Sequence, residues 1–288
     1  MKHFILAVAV CLSLTNWSCK DEAEDIIPST AAQPKRDSTA VVTSVAEPEV
    51  VTDSTSTTPA PIAKKRSGLD FRDSAYYQPA KFNAMPYRVM VPTKYDSTKQ
   101  YPLVVFLHGI DERGSDNEKQ LRWGASLFKS DSVRKDYPAF VIFPQCPADY
   151  YWANENPMEA LKDLIDDFVL ANNVNQNKIY IVGLSMGAYG TYEMVARNPG
   201  MFAAAIAISG DGDHNRAKNM AKSAWKIYAG GKDNIVTSDK SERMAQALRK
   251  SGAKVSLTVY PHANHVGSWV NAFEEPDFCS WLFSISRQ

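Results

Sequence analysis

The central stretch of the chain reads Lys178-Ile179-Tyr180-Ile181-Val182-Gly183-Leu184-Ser185-Met186-Gly187-Ala188-Tyr189-Gly190. Its β-branched and aromatic first half predicts a strand, and the small and helix-forming residues after the serine predict a helix. The two join in a Gly-x-Ser-x-Gly turn, where glycines permit strained backbone and close approach of neighbouring segments. The motif alone arises by chance in roughly one chain in ten of this size. Its place between a strand and a helix predicts that Ser185 is a nucleophile at a sheet edge.

Alternating strand and helix patterns surround this turn. Predicted strands cover 87–91, 103–107, 139–143, 179–182, 203–208, 225–229 and 255–259, and predicted helices cover 157–170, 188–197, 238–250 and 276–286. The first strand alternates as if half exposed, whereas the next two are continuously apolar, which is typical of parallel strands buried on both faces. Gly252 is expected to cap the helix that precedes it. The order predicts an α/β domain over residues 67–288, a mostly parallel sheet with helices on both faces.

The composition excludes several kinds of partner. The chain has 288 residues, 44% of them hydrophobic, and its 32 basic and 32 acidic residues balance. Because no segment forms a basic stripe, we expect no nucleic acid partner and no electrostatic attraction to an anionic membrane. Four cysteines are too few for a disulfide scaffold, and a pairing of Cys146 with Cys279 is left open.

The N-terminus has the pattern of an exported protein. Residues 4–14 form an apolar run after a basic start, too short to span a bilayer as a stable helix. Ser18-Cys19 follows and resembles the lipobox of bacterial lipoproteins, although positions 16 and 17 depart from the strict motif. We therefore predict a signal peptide over residues 1–19 and a lipid anchor on Cys19 as the contact with the membrane.

Residues 20–66 are rich in Ser, Thr, Pro, Ala and Val. The lysine and acidic residues at 20–25 resemble the export tag of surface lipoproteins in Bacteroidetes-type bacteria, which predicts an outer-membrane or cell-surface location. The whole segment cannot bury enough apolar surface to offset its chain entropy, so we predict a disordered tether. The alternative is an ordinary cleaved signal peptide and a periplasmic or secreted protein.

A serine nucleophile needs a base within hydrogen-bond reach and an acid that orients the base. In a doubly covered α/β sheet, both follow the serine on loops at the carboxyl ends of later strands. Asp233 follows the sixth predicted strand and His265 follows the seventh. We therefore predict a catalytic triad of Ser185, Asp233 and His265. The alternative, that Asp233 caps the helix at 238–250, is disfavoured because Asp233 lies too far upstream.

Three further histidines have competing interpretations. His262 shares a predicted loop with His265 and is its rival as the base, but His265 lies further along, before a glycine, where the chain can turn back over the sheet edge. His108 ends a strand and is expected to hold the following loop in place. His214 follows a strand near two aspartates, and the sequence favours equally a place at the substrate rim and a plain surface position.

Attack on a carbonyl creates an oxyanion that needs two hydrogen-bond donors. The backbone N–H of Met186, directly after the nucleophile, is one predicted donor. The other is expected in the loop after the strand at 103–107, and we predict the N–H of Ile110. Glu112 and Arg113 in the same loop are expected to pair with each other or with the loop backbone.

Four motifs carry a resemblance to a known family. They are His-Gly-x-x-Glu-Arg-Gly at 108–114, Phe-Pro-Gln-Cys-Pro at 143–147, Gly-Leu-Ser-Met-Gly-Ala-Tyr-Gly-Thr at 183–191 and Gly-Gly-Lys-Asp at 230–233. Together they resemble the lid-less α/β-hydrolases of the phospholipase/carboxylesterase group, also called polyhydroxybutyrate-depolymerase-like esterases. That group includes enzymes that remove acyl groups from plant polysaccharides. The resemblance implies the triad above and implies that Trp152 lines the acyl or alcohol pocket. His214 stands where relatives often carry glycine.

The sequence therefore predicts a serine esterase that needs no metal and no organic cofactor. The residues between the strands at 203–208 and 225–229 are too few and too polar to form a lid, which favours a soluble or glycan-borne ester over a lipid droplet. A peptidase or thioesterase with the same triad is the alternative within enzymes. A tethered, non-catalytic binding module is the alternative from a different class.

Overall fold

A single sheet positions every element of the candidate site. In the computed structural model, which describes residues 76–287, the strands are β1 Gln78–Phe82, β2 Met85–Met90, β3 Tyr101–Leu107, β4 Phe140–Pro144, β5 Val174–Leu184, β6 Ala204–Ile208, β7 Ala224–Gly230 and β8 Val255–Tyr260. They lie in the order β1-β2-β4-β3-β5-β6-β7-β8. β2 pairs antiparallel with β1 and β4, and all neighbours from β4 to β8 are parallel. The predicted mostly parallel sheet is confirmed.

Helices connect the strands and cover the sheet. They are α1 Ala125–Phe128, α2 Asp131–Asp136, α3 Glu155–Ala171, α4 Met186–Arg197, α5 Ala217–Met220, α6 Ser238–Lys250, α7 His265–Glu274 and α8 Phe278–Ser284. Short 3₁₀ turns occur at Ile110–Glu112, Lys119–Leu121 and His214–Arg216. Within residues 76–287, no helix combines the length and the apolar character that crossing a bilayer requires.

Each face of the sheet has its own hydrophobic core, because successive side chains of a strand point to opposite faces. On β3, Leu103, Val105 and Leu107 join the core beneath α3, α4 and α6, whereas Val104 and Phe106 join the core beneath α1, α7 and α8. Both sets are fully buried. The continuous apolar run in the sequence therefore reflects burial on both faces, as predicted, and the helices on both faces are confirmed.

Two predicted elements differ from the structure. The first predicted strand was expected to be half exposed, but β2 is buried at every residue except Arg88. The reason is its position inside the sheet, between β1 and β4, where both faces are covered. The closing helix is shorter than predicted, with Asp277 as its N-cap. Ser251 is the C-cap of α6, and Gly252 follows it with a positive φ of 91°.

Two further predictions concern residues outside the described part of the chain. The signal peptide at 1–19 with Cys19, and the tether at 20–66, precede residue 76 and are not described by the structure. Both stay predictions. The described residues fall within the predicted domain at 67–288.

Candidate active site

Ser185 occupies the sharp turn between β5 and α4. Its φ of 50° and ψ of −121° are strained for a residue with a side chain. The two flanking glycines make this turn possible: a Cβ at Gly183 would overlap the carbonyl of Gly187, and a Cβ at Gly187 would overlap the carbonyl of Leu107. The Ser185 N–H donates to the carbonyl of Ile208, 2.8 Å away, on β6. Packing on both sides thus holds the serine hydroxyl at the C-terminal edge of the sheet.

His265 is the first residue of α7 and faces that hydroxyl. Its Nε2 lies 2.8 Å from Oγ of Ser185. The prediction that His265 lies in a loop is wrong. Asn264 is an N-cap whose Oδ1 accepts the N–H of Gly267 at 2.9 Å, and α7 begins directly after Asn264. The ring also packs edge-on against Trp269 one turn later, with centroids 4.9 Å apart. A helix N-terminus and an indole therefore orient the imidazole.

Asp233 lies behind His265 with its side chain fully buried. Oδ2 lies 2.6 Å from Nδ1 of His265. Oδ1 accepts the N–H groups of Ile235 and Val236, both at 2.9 Å. Burial alone would raise the pKa of Asp233, but the hydrogen bonds from His265 and from these two N–H groups outweigh it and hold the pKa below its ordinary value. Asp233 is therefore a carboxylate, and each of the three groups that contact its oxygens is a hydrogen-bond donor.

Backbone hydrogen bonds join the loop of Asp233 to the loop that precedes His265. The N–H of Gly231 donates to the carbonyl of Tyr260 at 2.8 Å, and the N–H of Lys232 donates to the carbonyl of Ala263 at 2.9 Å. A Cβ at Gly230 would come within 2.8 Å of the Asn264 carbonyl, so this glycine permits the close approach. The two loops hold each other in register.

The two predicted oxyanion donors are the N–H groups of Met186 and Ile110. Met186 is the first residue of α4, so its N–H has no acceptor within the helix. Gly109 lies so close to the nucleophile that a Cβ built there would be 3.9 Å from Cβ of Ser185. Ile110 follows directly and begins a 3₁₀ turn. The structure therefore brings Gly109 beside the serine, and the role of the Ile110 N–H as an oxyanion donor stays a prediction.

Glu112 and Arg113 brace this loop, but not through each other. Arg113 donates to the carbonyl of Ile110 at 3.0 Å and to the carbonyl of Tyr150 at 3.1 Å. Glu112 is 2% exposed and faces Arg122 at 3.6 Å instead. Burial raises the pKa of Glu112 more than the Arg122 charge lowers it. The predicted contact with loop backbone holds for Arg113.

His108 and Trp152 support the loop from below. His108 Nδ1 lies 2.6 Å from the carbonyl of Gly109, and Nε2 accepts the N–H of Cys146 at 3.0 Å. Burial lowers the pKa of His108 to about 4, so the ring is neutral and structural, as expected. Trp152 is fully buried and donates from Nε1 to the carbonyl of His108 at 3.1 Å. The expectation that Trp152 lines an open pocket is therefore wrong, because its indole packs inside the core.

The hydrogen-bond partner of Ser185 Oγ is His265, and neither His262 nor His214 takes that position. His262 is exposed, in the loop before α7. His214 begins a 3₁₀ turn after β6, and its Nε2 lies 2.9 Å from Oδ1 of Asp211. Cys146 and Cys279 are both buried and free, so they do not pair with each other.

Large apolar side chains are exposed in the segments that follow four strands: Ile110 after β3, Tyr150 and Tyr151 after β4, Ile235 after β7, and Val266 in the first turn of α7 after β8. Trp269, which packs on His265, was not expected from the sequence. The signal was the spacing of four residues between His265 and Trp269, which places both on one face once the segment is a helix.

Part of the chain is similar in sequence to known hydrolases. Residues 149–272 match the Dienelactone hydrolase family. A protein of Escherichia coli (strain K12), named as a candidate carboxymethylenebutenolidase, is 30% identical over 112 residues, which are 36% of this chain and 41% of that protein. Poly(3-hydroxyalkanoate) depolymerase C of Paucimonas lemoignei is 28% identical over 145 residues, which are 46% of this chain and 33% of the depolymerase. The chain thus spans less than half the length of these curated relatives.

A solved structure extends the likeness to most of the domain. The crystal structure of a thermostable esterase superposes with a TM-score of 0.70 at 32% identity, over 74% of this chain and 64% of that one. The superposition and the sheet order together establish an α/β-hydrolase fold, within which residues 149–272 are similar to the Dienelactone hydrolase family.

Proposed function

We propose that this chain is a serine esterase that cleaves carboxylic esters through Ser185, His265 and Asp233. One observation carries the proposal: an unbroken hydrogen-bond chain runs from Ser185 Oγ through both ring nitrogens of His265 to Asp233. The match to the Dienelactone hydrolase family and the likeness to a thermostable esterase support ester hydrolysis. The four sequence motifs support a place among lid-less, polyhydroxybutyrate-depolymerase-like esterases.

The geometry suits a two-step acyl transfer. Ser185 Oγ attacks the ester carbonyl while His265 Nε2 takes the hydroxyl proton, and the N–H groups of Met186 and Ile110 stabilise the oxyanion. His265 then gives the proton to the departing alkoxide, which leaves an acyl-enzyme. Water attacks that ester as His265 takes its proton, and the proton returns to Ser185 as the carboxylic acid leaves. Asp233 orients the imidazole and stabilises its cation in both steps.

The substrates we propose are acyl esters on extracellular glycans or other small soluble esters. The site opens at the sheet edge among loops, which suits a substrate that is part of a larger polymer. The N-terminal pattern supports export, with Cys19 as a lipid anchor at the outer membrane or the cell surface. The proposal includes no metal and no cofactor.

Two measurements test the proposal. A fluorophosphonate probe should label the purified protein at Ser185, whereas a binding module would not react. A hydrolysis panel of acetyl, butyryl, feruloyl and phospholipid esters, with a thioester and a peptide anilide of matched acyl group, should give the highest kcat/KM on a soluble ester. A higher value on the anilide or the thioester would replace the esterase by a peptidase or a thioesterase. No labelling and no turnover would overturn the proposal.

A further inference from the structure

The loop after β6 lies directly on the helix that carries the nucleophile. A Cβ at Gly210 would overlap Ala188 on α4, and a Cβ at Gly212 would come within 2.8 Å of Cβ of Tyr192. From the other side, Oγ of Ser241 on α6 donates to the Gly210 carbonyl at 3.1 Å. The loop is therefore packed between α4 and α6, next to the first turns after Ser185.

This loop holds a carboxylate and an imidazole together. Oδ1 of Asp211 accepts the N–H of Gly212 at 2.9 Å and lies 2.9 Å from Nε2 of His214. Asp213 caps the turn that begins at His214 by accepting the N–H of Asn215. The side chains of Asp211 and His214 are only half-buried. Oδ2 of Asp211 and Nδ1 of His214 therefore remain available for hydrogen bonds with a ligand.

An ion pair anchors the same turn to α4. Arg216 donates from Nη1 to both carboxylate oxygens of Glu193, at 2.7 and 2.8 Å. Glu193 is less exposed than Arg216, and it also accepts from Arg197. Charge-assisted bonds of this kind restrict the geometry of the groups they join. The positions of Asp211 and His214 are therefore fixed relative to the helix of the nucleophile.

Tyr189 connects this pair to the catalytic residues. It lies one helical turn after Ser185 on α4 and is half-buried. The ammonium of Lys240, in the first turn of α6, donates a hydrogen bond to the phenol oxygen, and the carboxylates of Asp211 and Asp233 act on the phenol through their charge. The phenol is therefore within electrostatic reach of Asp211 and of Asp233, the acid behind His265.

The chemistry of these groups indicates what they can hold. The negative charge of the Asp211 carboxylate and the positive charge of the Lys240 ammonium cancel. This balance disfavours an anionic group as the preferred ligand. An imidazole and a phenol add groups that both donate and accept. An alkyl chain would leave these polar groups without partners, at a cost in binding. A neutral group with several hydroxyls can satisfy donors and acceptors together.

We propose that Tyr189, Asp211, His214 and Lys240 form a subsite for the hydroxyl-bearing alcohol portion of the ester, such as a sugar ring. We call these four residues the hydroxyl subsite. The inference rests on the proposed esterase function and adds to it the residues that recognise the alcohol. His214, which the sequence left between a substrate rim and a plain surface position, takes the rim position in this proposal.

The test compares two acetate esters of aliphatic alcohols: a mono-acetylated methyl glucoside, which carries hydroxyls, and butyl acetate, which carries none. The readout is the ratio of kcat/KM for the sugar ester to kcat/KM for butyl acetate, measured by acetate release. The ratio should fall by about threefold or more in Tyr189→Phe and by about tenfold or more in Asp211→Asn. Tyr189→Phe removes a single oxygen, so a folded protein is expected.

Asp239→Asn is a matched control, because Asp239 is exposed on the first turn of α6 beside Lys240. It should leave the ratio unchanged. Equal losses on both esters, or an unchanged ratio in both subsite variants, would overturn the subsite while leaving the esterase proposal intact. If the wild-type protein hydrolyses neither ester and resists a fluorophosphonate probe, the esterase proposal itself fails and the subsite fails with it.

Discussion

Nδ1 of His265, at the start of α7, lies 2.6 Å from Oδ2 of Asp233, although the two residues are 32 positions apart in the chain. The other Asp233 oxygen already accepts two backbone N–H groups. A carboxylate in these surroundings can only accept, so Nδ1 must carry the proton. Nε2 is then left unprotonated and faces the Ser185 hydroxyl. The buried acid thus selects the one tautomer in which the imidazole can act as a base.

Replacing Asp233 should show whether this residue selects the tautomer of His265. In Asp233→Asn, an amide can donate to Nδ1 and stabilise the wrong tautomer, so we expect kcat on a soluble ester to fall by about 10³- to 10⁴-fold. The volume is unchanged, and the thermal unfolding midpoint should stay close to the wild-type value. Asp239→Asn is the matched control, since Asp239 is exposed a few residues further on. Activity above about a tenth of wild type would contradict the orienting role.

Removing the nucleophile is the most direct test of the triad. Ser185→Ala should lose at least about a thousandfold in kcat on any ester and lose all labelling by a fluorophosphonate probe. Ser256→Ala is the control, because Ser256 is exposed on β8. If Ser185→Ala and the wild type have equal activity and equal thermal stability, the assignment of Ser185 as the nucleophile is wrong.

The two histidines near the end of β8 should separate cleanly. His265→Ala should fall to the level of the Ser185 variant, because members of a triad fail as a unit. His262→Ala should keep at least about a tenth of the turnover, a loss of roughly 1.4 kcal/mol or less in barrier height. The structural reason is that His262 is exposed, whereas His265 contacts Ser185. The reverse pattern of losses would transfer the base to His262.

His108 should make folding stability depend on pH. Burial lowers its pKa from 6.5 to about 4, so between these values the unfolded chain binds a proton that the folded chain does not. The contribution to stability is therefore complete above about pH 6.5 and is lost as the pH falls to about 4, in total about 3 kcal/mol. The free energy of unfolding should fall less steeply over this range in His108→Gln than in the wild type.

A second measurement keeps this prediction testable if His108→Gln folds poorly. The ring proton signals of His108 in the wild-type protein should titrate with a midpoint near pH 4 in NMR spectra. A midpoint of His108 near 6.5 would show that the ring is not buried in its neutral form.

If Cys19 carries a lipid anchor, replacing this cysteine should change the cell fraction in which the protein is found. In cells that process bacterial lipoproteins, Cys19→Ala should move the full-length protein from the membrane fraction to the soluble fraction, because the acyl chains attach at that cysteine. Cys11→Ala is the matched control, since Cys11 lies within the predicted signal peptide and is removed with it. Mass spectrometry that finds a mature N-terminus elsewhere, without an acyl adduct, would refute the anchor.

Local sequence information was sufficient for much of the sheet. The apolar run that became β3 is buried on both faces, and the Gly-x-Ser-x-Gly turn lies between a strand and a helix, because both features depend on residues that are neighbours in the chain. The burial of β2 was not predictable in this way. Its alternating pattern suits an exposed face, and only its place between β1 and β4 covers it.

The features of the candidate site likewise separate into those that the sequence predicts and those that depend on tertiary structure. The sequence by itself predicted the nucleophile turn, the candidate acid and base, and the chain order in which they occur, because the glycines and the strand ends are local signals. Tertiary structure alone decided that Trp152 lies inside the core, that Asn264 starts a helix at His265, and that Glu112 faces Arg122. These outcomes depend on which segments pack together across the sheet. Side-chain partners distant in the chain become defined only when the loops meet at its C-terminal edge.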